Sequence, residues 1–257
     1  MSIGIFDSGV GGLSVLKKMV EILPDENYIY LGDTARVPYG EKTKEELTAF
    51  SREILDYFKQ RQVKLVLMAC NTSSANTLDV VKGEYDFKIF GLIKPTAEYI
   101  STLPDKRIGL MATSATVNSK AYPTAIEVFG KEVFDLACPP LVGIVESGMI
   151  FDEQNKKTVK QYLNQLLAKD IQRLILGCTH YPFLVPVMKE EGLRDEFFID
   201  PADCIKNDAK KYLEDNKLLL QGKGSIEFLT TGDADVFETT GKLFFDKVSN
   251  VKHIELV

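Results

Sequence analysis

Apolar positions along this chain follow two alternating rhythms. Residues 3–6 form a short apolar run, and after a glycine-rich turn Leu13, Leu16, Met19, Val20 and Leu23 recur at helical spacing. A second run covers residues 28–31, and Leu47, Phe50, Ile54, Tyr57 and Phe58 again mark one helical face. Residues 65–68 are continuously apolar, the pattern of a parallel strand covered on both sides. A helix from about residue 74 and a strand over 89–93 follow. Strands alternating with helices in this way predict a parallel sheet sandwiched by helices, an α/β fold.

The second half repeats the order at a nearly constant offset. Ile3-Gly4-Ile5 is answered by Ile108-Gly109-Leu110, 105 residues later. The helix around Ile54 and Phe58 is answered by Val159, Tyr162, Leu163 and Leu166. The strand ending in Met68-Ala69-Cys70-Asn71-Thr72 is answered by Leu176-Gly177-Cys178-Thr179-His180, with the cysteines 108 residues apart. Matched cysteines at matched strand ends favour an internal duplication over a chance likeness of two βαβα runs. The halves should meet near Lys94-Pro95, where proline suits the first turn of a helix. Residues 206–257 have no counterpart in the repeat. They predict a strand over 226–229, a helix over 236–245 and a last strand over 251–257.

At 257 residues, with 45% hydrophobic and 26% charged residues, the chain can bury substantial cores and has no low-complexity segment. No apolar run approaches the roughly 20 residues that span a bilayer. The first residues lack a basic segment and meet Asp7 at once, so a cytoplasmic protein without signal peptide is expected. A net charge of −6 argues against nucleic acid as partner. The four cysteines contain no Cys-x-x-Cys pair and should be thiols, and with only two histidines no metal site is expected.

Ligands of open α/β sheets bind at the carboxyl ends of the strands. Four such ends are polar here: Asp7-Ser8, Cys70-Asn71-Thr72, Thr113-Ser114-Ala115-Thr116 and Cys178-Thr179-His180. Two facing domains would bring one thiol to each side of a cleft. A thiolate acts as a base when donors, cations or a helix N-terminus stabilise it, and both cysteines precede expected helices. Asp7 and His180 are candidate proton partners, one per thiol. A lone cysteine at a strand end is commonly a small buried hydrophobe. That is the assignment for Cys138 and Cys204, which lack such neighbours. The loop Asp7-Ser8-Gly9-Val10-Gly11-Gly12 has a rival reading as a dinucleotide fingerprint with Asp33 on the ribose. Against it, Asp7 sits where pyrophosphate needs neutral backbone, and Ser14 takes the place of the third glycine. A tight turn whose N–H groups bind a carboxylate is the simpler role.

Phe6-Asp7-Ser8-Gly9-Val10-Gly11-Gly12, Gly32-Asp33-Thr34-Ala35-Arg36-Val37-Pro38-Tyr39-Gly40, Ala69-Cys70-Asn71-Thr72 and Gly177-Cys178-Thr179-His180-Tyr181-Pro182 resemble the successive signatures of glutamate racemases, in the aspartate/glutamate racemase superfamily. The resemblance covers essentially the whole chain. It implies two pseudo-symmetric three-layer α/β/α domains with largely parallel sheets and the active site in the cleft between them. Residues 1–94, completed by 206–257, would form one domain and residues 95–205 the other. It further implies a cofactor-independent isomerase that interconverts L- and D-glutamate and supplies D-glutamate for peptidoglycan, with a homodimer allowed but not readable. By matching motifs Cys70 and Cys178 would be the acid/bases, Asp7 assisting the first and His180 the second. Asp7, Ser8, Tyr39, Gly40, Asn71, Thr72, Thr113, Thr116, Glu146, Thr179 and His180 would surround the substrate. No arginine pairing is evident at the motifs, so its carboxylates should be held by Ser, Thr and Asn side chains and backbone amides. The sequence departs from the family pattern at Gly143, Ala112 and Ser73, where proline, glycine and alanine are usual. Rival readings are an aspartate racemase, differing in the depth of the distal carboxylate pocket, a dinucleotide-binding protein, and an amino-acid sensor that only binds.

Overall fold

The computed structural model describes residues 1–220 and 222–256. Its strands are β1 (Ile3–Asp7), β2 (Asn27–Gly32), β3 (Leu65–Met68), β4 (Lys88–Gly91), β5 (Arg107–Ala112), β6 (Glu132–Ala137), β7 (Arg173–Gly177), β8 (Phe198–Ile199), β9 (Ser225–Thr230) and β10 (Lys252–His253). The α-helices are α1 (Leu13–Ile22), α2 (Lys44–Gln60), α3 (Asn71–Asn76), α4 (Leu78–Val81), α5 (Ile93–Ser101), α6 (Ser114–Ser119), α7 (Ala121–Glu127), α8 (Pro140–Glu146), α9 (Glu153–Leu167), α10 (Val185–Met188), α11 (Pro201–Asp215) and α12 (Ala234–Gly241).

Two wholly parallel sheets result, one ordered β10-β9-β2-β1-β3-β4 and the other β6-β5-β7-β8. The segment β2-β1-β3-β4 and the whole second sheet share one order, so the offset repeat is a repeat of topology. In it β3, which leads to Cys70, corresponds to β7, which leads to Cys178. Strands β9 and β10 extend the first sheet beyond β2. The four-residue strand β3, between β1 and β4, is buried at every position, as a continuous apolar run requires.

Local signals set the helix starts. A capping box of Thr43 and Glu46 opens α2, and Asp152 and Asp200 cap α9 and α11, the latter with Pro201 at its first position. The largest apolar cluster draws on both sheets' coverings, including Leu13, Leu16 and Tyr30 with Leu141, Tyr181, Leu184 and Phe244. The halves therefore share a core.

Several boundaries differ from the sequence reading. Helix α3 starts at Asn71, before residue 74, because Cys70 serves as its N-cap. Strand β4 stops at Gly91, and Ile93 already belongs to α5. The C-terminal helix ends at Gly241, and the last strand is reduced to Lys252–His253; that expectation also reached Val257, outside the described residues. Strand β6 escaped notice because Glu132 and Asp135 break its apolar run. The expected cuts at 94/95 and 205/206 both fall within helices, α5 and α11, near their N-terminal ends.

Candidate functional site

The carboxyl ends of β1, β3, β5 and β7 open onto one cavity of about 280 Å³. Asp7, Ser8, Tyr39, Gly40, Cys70, Asn71, Thr72, Thr113, Glu146, Cys178, Thr179 and His180 all line it, twelve of the thirteen residues singled out from the sequence. Thr116, the thirteenth, lies behind the wall with no exposed surface. Its hydroxyl stands 2.9 Å from that of Thr113 and 3.4 Å from that of Thr72, and these two are 2.9 Å apart. Thr116 thus orients two lining hydroxyls. Val37, Pro38, Glu41, Ser114, Pro139, Val142 and Gly143 also line the cavity. Val37, Pro38, Glu41 and Ser114 lie in or next to the quoted motifs, a proximity signal that marks loops but not which side chains turn inward, whereas Pro139, Val142 and Gly143 belong to the segment that leads to Glu146.

The glycine-rich loop explains itself at close range. Asp7 Oδ2 accepts hydrogen bonds from Gly9 N at 3.2 Å and Gly12 N at 2.9 Å. The loop does bind a carboxylate, but it is the protein's own. A Cβ on Gly11 would lie 2.4 Å from Thr179 Oγ1 and 2.6 Å from His180 Cε1 and Nδ1. One on Gly12 would meet Asp7 Cβ at 2.5 Å. These glycines let the β1 turn fold onto its own aspartate and press against the segment after β7. Asp33 is equally committed: it has no exposed surface and accepts hydrogen bonds from Tyr39 Oη, from Arg36 Nε at 2.7 Å and from Thr231 Oγ1 at 2.7 Å. A ribose has no place there, and the dinucleotide reading loses both its phosphate loop and its acid.

The two thiols have unequal surroundings. Cys70 caps α3 and accepts a hydrogen bond from Ser73 N at 3.5 Å, while its thiol reaches Ser8 Oγ at 3.9 Å. Burial and then the Asp7 charge push this thiol up to about 12, against the Ser73 donors that pull it down. The expected lowering by a helix N-terminus is present but outweighed, and Asp7 acts on Cys70 through charge without a hydrogen bond to it. Cys178 leads through a turn into a 3-10 helix, Tyr181–Leu184, and caps no α-helix. It lies 3.6 Å from His180 Nδ1, and His180 Nε2 lies 2.9 Å from Glu146 Oε1. Burial draws the His180 imidazole down, yet hydrogen bonds to Cys178 and Glu146 and the negative charges of Cys178 and Asp7 prevail, raising it to about 10. An imidazolium therefore stands beside Cys178 at neutral pH. Cys138 is fully buried, and neither it nor Cys204 lines the cavity.

Tyr122, also fully buried, donates to Asn71 Oδ1 at 2.6 Å, which leaves the Asn71 amide nitrogen as the end free to donate. Sequence reasoning missed this contact because Tyr122 lies on α7, remote from every motif.

Comparison with known proteins agrees with this geometry. The profile of the Asp/Glu/hydantoin racemase family matches residues 3–208. A glutamate racemase of Thermoanaerobacter sp. (strain X514) is 42% identical over 259 aligned positions, covering 99% of this chain and 97% of its own length. A glutamate racemase isoform from Bacillus anthracis has a solved structure that superposes with a TM-score of 0.94 at 33% identity, covering 99% of this chain and 97% of that one. The glutamate racemase of Francisella tularensis, solved in complex with D-glutamate, superposes with a TM-score of 0.92 at 32% identity over 99% of this chain and 97% of its own. With sequence, strand order and cavity in agreement, the chain belongs to the Asp/Glu/hydantoin racemase family and is an amino-acid racemase of its glutamate racemase branch.

Proposed function

We propose that the protein interconverts L- and D-glutamate with no cofactor or metal, using Cys70 and Cys178 as paired acid/bases. The observation that carries this reading is that two thiols, at equivalent strand ends of the two sheets, line one cavity. Inverting an α-carbon needs a base on one face and an acid on the other. The resting protonation suits the direction from L to D. Cys70 keeps its proton at neutral pH, and the protonated His180 is the charge partner of Cys178. The α-proton of L-glutamate passes to Cys178 Sγ, its bonding electrons spread into the α-carboxylate, and Cys70 S–H delivers a proton to the opposite face. Cys178 then holds the gained proton, Cys70 the negative charge, and the return reaction runs the same steps backward.

Ser8, Thr72, Thr113, Thr179 and the Asn71 amide nitrogen supply donors for the two carboxylates, with Tyr39 and Gly40 shaping the wall. Oriented donors of this kind stabilise developing charge without reorganising. The relatives' names and the D-glutamate complex of the Francisella enzyme support glutamate over aspartate as substrate. The product would serve peptidoglycan synthesis in the cytoplasm, and among the described residues no helix is long and apolar enough to cross a membrane.

The test is the decay of the circular dichroism of L-glutamate with purified protein, followed by α-proton exchange in D₂O by NMR. Cys70→Ala and Cys178→Ala should each abolish racemisation. Cys178→Ala should still exchange D-glutamate in preference to L-glutamate, and Cys70→Ala the reverse. Equal exchange of both enantiomers by either variant would mean a single mobile base and defeat the two-thiol assignment.

A further inference from the structure

We propose that the Ser73 hydroxyl is a donor held in reserve for the Cys70 thiolate, unpaired while the sulfur is protonated and turned onto it once the proton leaves. The inference rests on the reading of Cys70 as an acid/base, and it makes Ser73 a positioning residue that acts through Cys70.

Three observations carry it. Ser73 has no exposed surface, and its Oγ is buried without a hydrogen-bond partner among the described residues. A buried hydroxyl left unpaired is unfavourable, so its persistence calls for a state in which it is paired. The same residue already donates its backbone N–H to the Cys70 sulfur at 3.5 Å. Besides that N–H, the Ser73 side chain itself favours ionisation of this sulfur, against burial and Asp7. A neutral thiol is a weak acceptor and a thiolate a strong one, so loss of the proton creates the partner that the hydroxyl lacks.

The other groups around this sulfur do not supply the same help. Asp7 after β1 and Cys178 after β7 oppose a negative charge on this sulfur. Among the described residues, the one hydroxyl to which the thiol is hydrogen-bonded is Ser8 Oγ, at 3.9 Å. When Cys70 has given its proton to the α-carbon at the end of each L-to-D turnover and its sulfur is left negative, Ser73 and Ser8 are the side-chain donors that meet the charge.

The experiment measures iodoacetamide alkylation of Cys70 and Cys178 separately, by peptide mass spectrometry, from neutral to alkaline pH. Losing a donor to a charged acceptor should raise the Cys70 thiol by about one to two pH units. Each unit removes tenfold of the thiolate and restores about threefold in nucleophilicity, so alkylation slows about three- to tenfold overall. Ser73→Ala and Ser73→Gly should both show this slowing at Cys70 with Cys178 unchanged, and Ser73→Thr, which keeps the hydroxyl, should alkylate like the wild type. Unchanged or faster alkylation of Cys70 in the two deletions, equal changes at both cysteines, or a threonine variant behaving like alanine would each overturn the proposal. Alkylation reports the sulfur whether or not it serves catalysis. If Cys70→Ala still racemises while Ser73→Ala slows alkylation, the reading of Cys70 fails and the hydroxyl–sulfur pairing stands.

Discussion

Replacing Gly11 by alanine tests whether the two halves interlock at the site as described. The added methyl would stand 2.4 Å from Thr179 Oγ1 and 2.6 Å from two atoms of the His180 ring. Ordinary contact needs about 3.5 Å between such atoms, so something must retreat by roughly 1 Å. The ring has little freedom to do so. Its two nitrogens face Cys178 and Glu146 at 3.6 and 2.9 Å, it is nearly buried, and it meets Phe244 edge-on with ring centroids 5.6 Å apart. Overpacking of this kind costs about 1–3 kcal/mol, and a 1 Å misplacement of a catalytic group costs on the order of 10²-fold in rate. Urea unfolding with a racemisation assay reads both quantities. The control is Gly83→Ala, where the new methyl meets nothing within 4 Å and stability should hold or rise slightly. A Gly11→Ala protein that matches the wild type in turnover and in unfolding midpoint would refute the reasoning, because the contact it is built on could not then exist.

Three further outcomes follow from other parts of the molecule. Asp33→Asn keeps the shape but removes the charge that receives Arg36 and Tyr39; it should destabilise the protein by about 2–3 kcal/mol in urea unfolding and raise KM through a loosened Tyr39. His180 is raised in the folded state, so its contribution to stability is full below about pH 6.5 and is lost as pH climbs through about 10. Unfolding free energies measured across that window should converge on those of His180→Asn at the alkaline end, and a constant gap would contradict this. The ion pair of Lys64 with Glu26, both nearly inaccessible, also binds Leu218 O and Leu220 N at 2.7 and 2.8 Å. Lys64→Met alone should cost about 3–5 kcal/mol, and adding Glu26→Leu should recover part of it in a double-mutant cycle.

Much of this was legible in the sequence because the relevant signals are local. Continuous apolar runs marked β1 and β3, helical spacing marked α2 and α9, and polar residues just past strand ends marked the cavity wall. What escaped depends on contacts between distant segments. Nothing near Tyr122 shows that it reaches Asn71, 51 positions away. Asp33 could be read as a ribose acid until Thr231, almost 200 residues later, was seen to occupy it. The loop of Asp7 was expected to offer its N–H groups to a ligand, and only the fold shows the aspartate's own carboxylate taking two of them. Edge strand β6 was missed for a different reason, since a partly exposed strand need not carry an apolar run.

The duplicated topology and the unequal thiols together bear on how such a site can work in both directions. The proposed inversion asks for a group on each face of the substrate, and repeating β2-β1-β3-β4 as β6-β5-β7-β8 places a cysteine after each of the equivalent strands β3 and β7. Strict equivalence would nevertheless be unhelpful, because two thiols of equal acidity close together would tend toward both protonated or share one charge loosely. The structure separates them instead. Cys70 is surrounded by Asp7 and burial, which favour its thiol, and Cys178 faces an imidazolium anchored by Glu146. The resting enzyme is thereby set with an acid on one side and a charge partner for a base on the other. Under the proposed two-thiol mechanism, turnover from L to D leaves the negative charge on Cys70, the side where burial and Asp7 oppose it. The donors around Cys70 therefore govern how readily that state forms, and they weigh on the two directions through different steps.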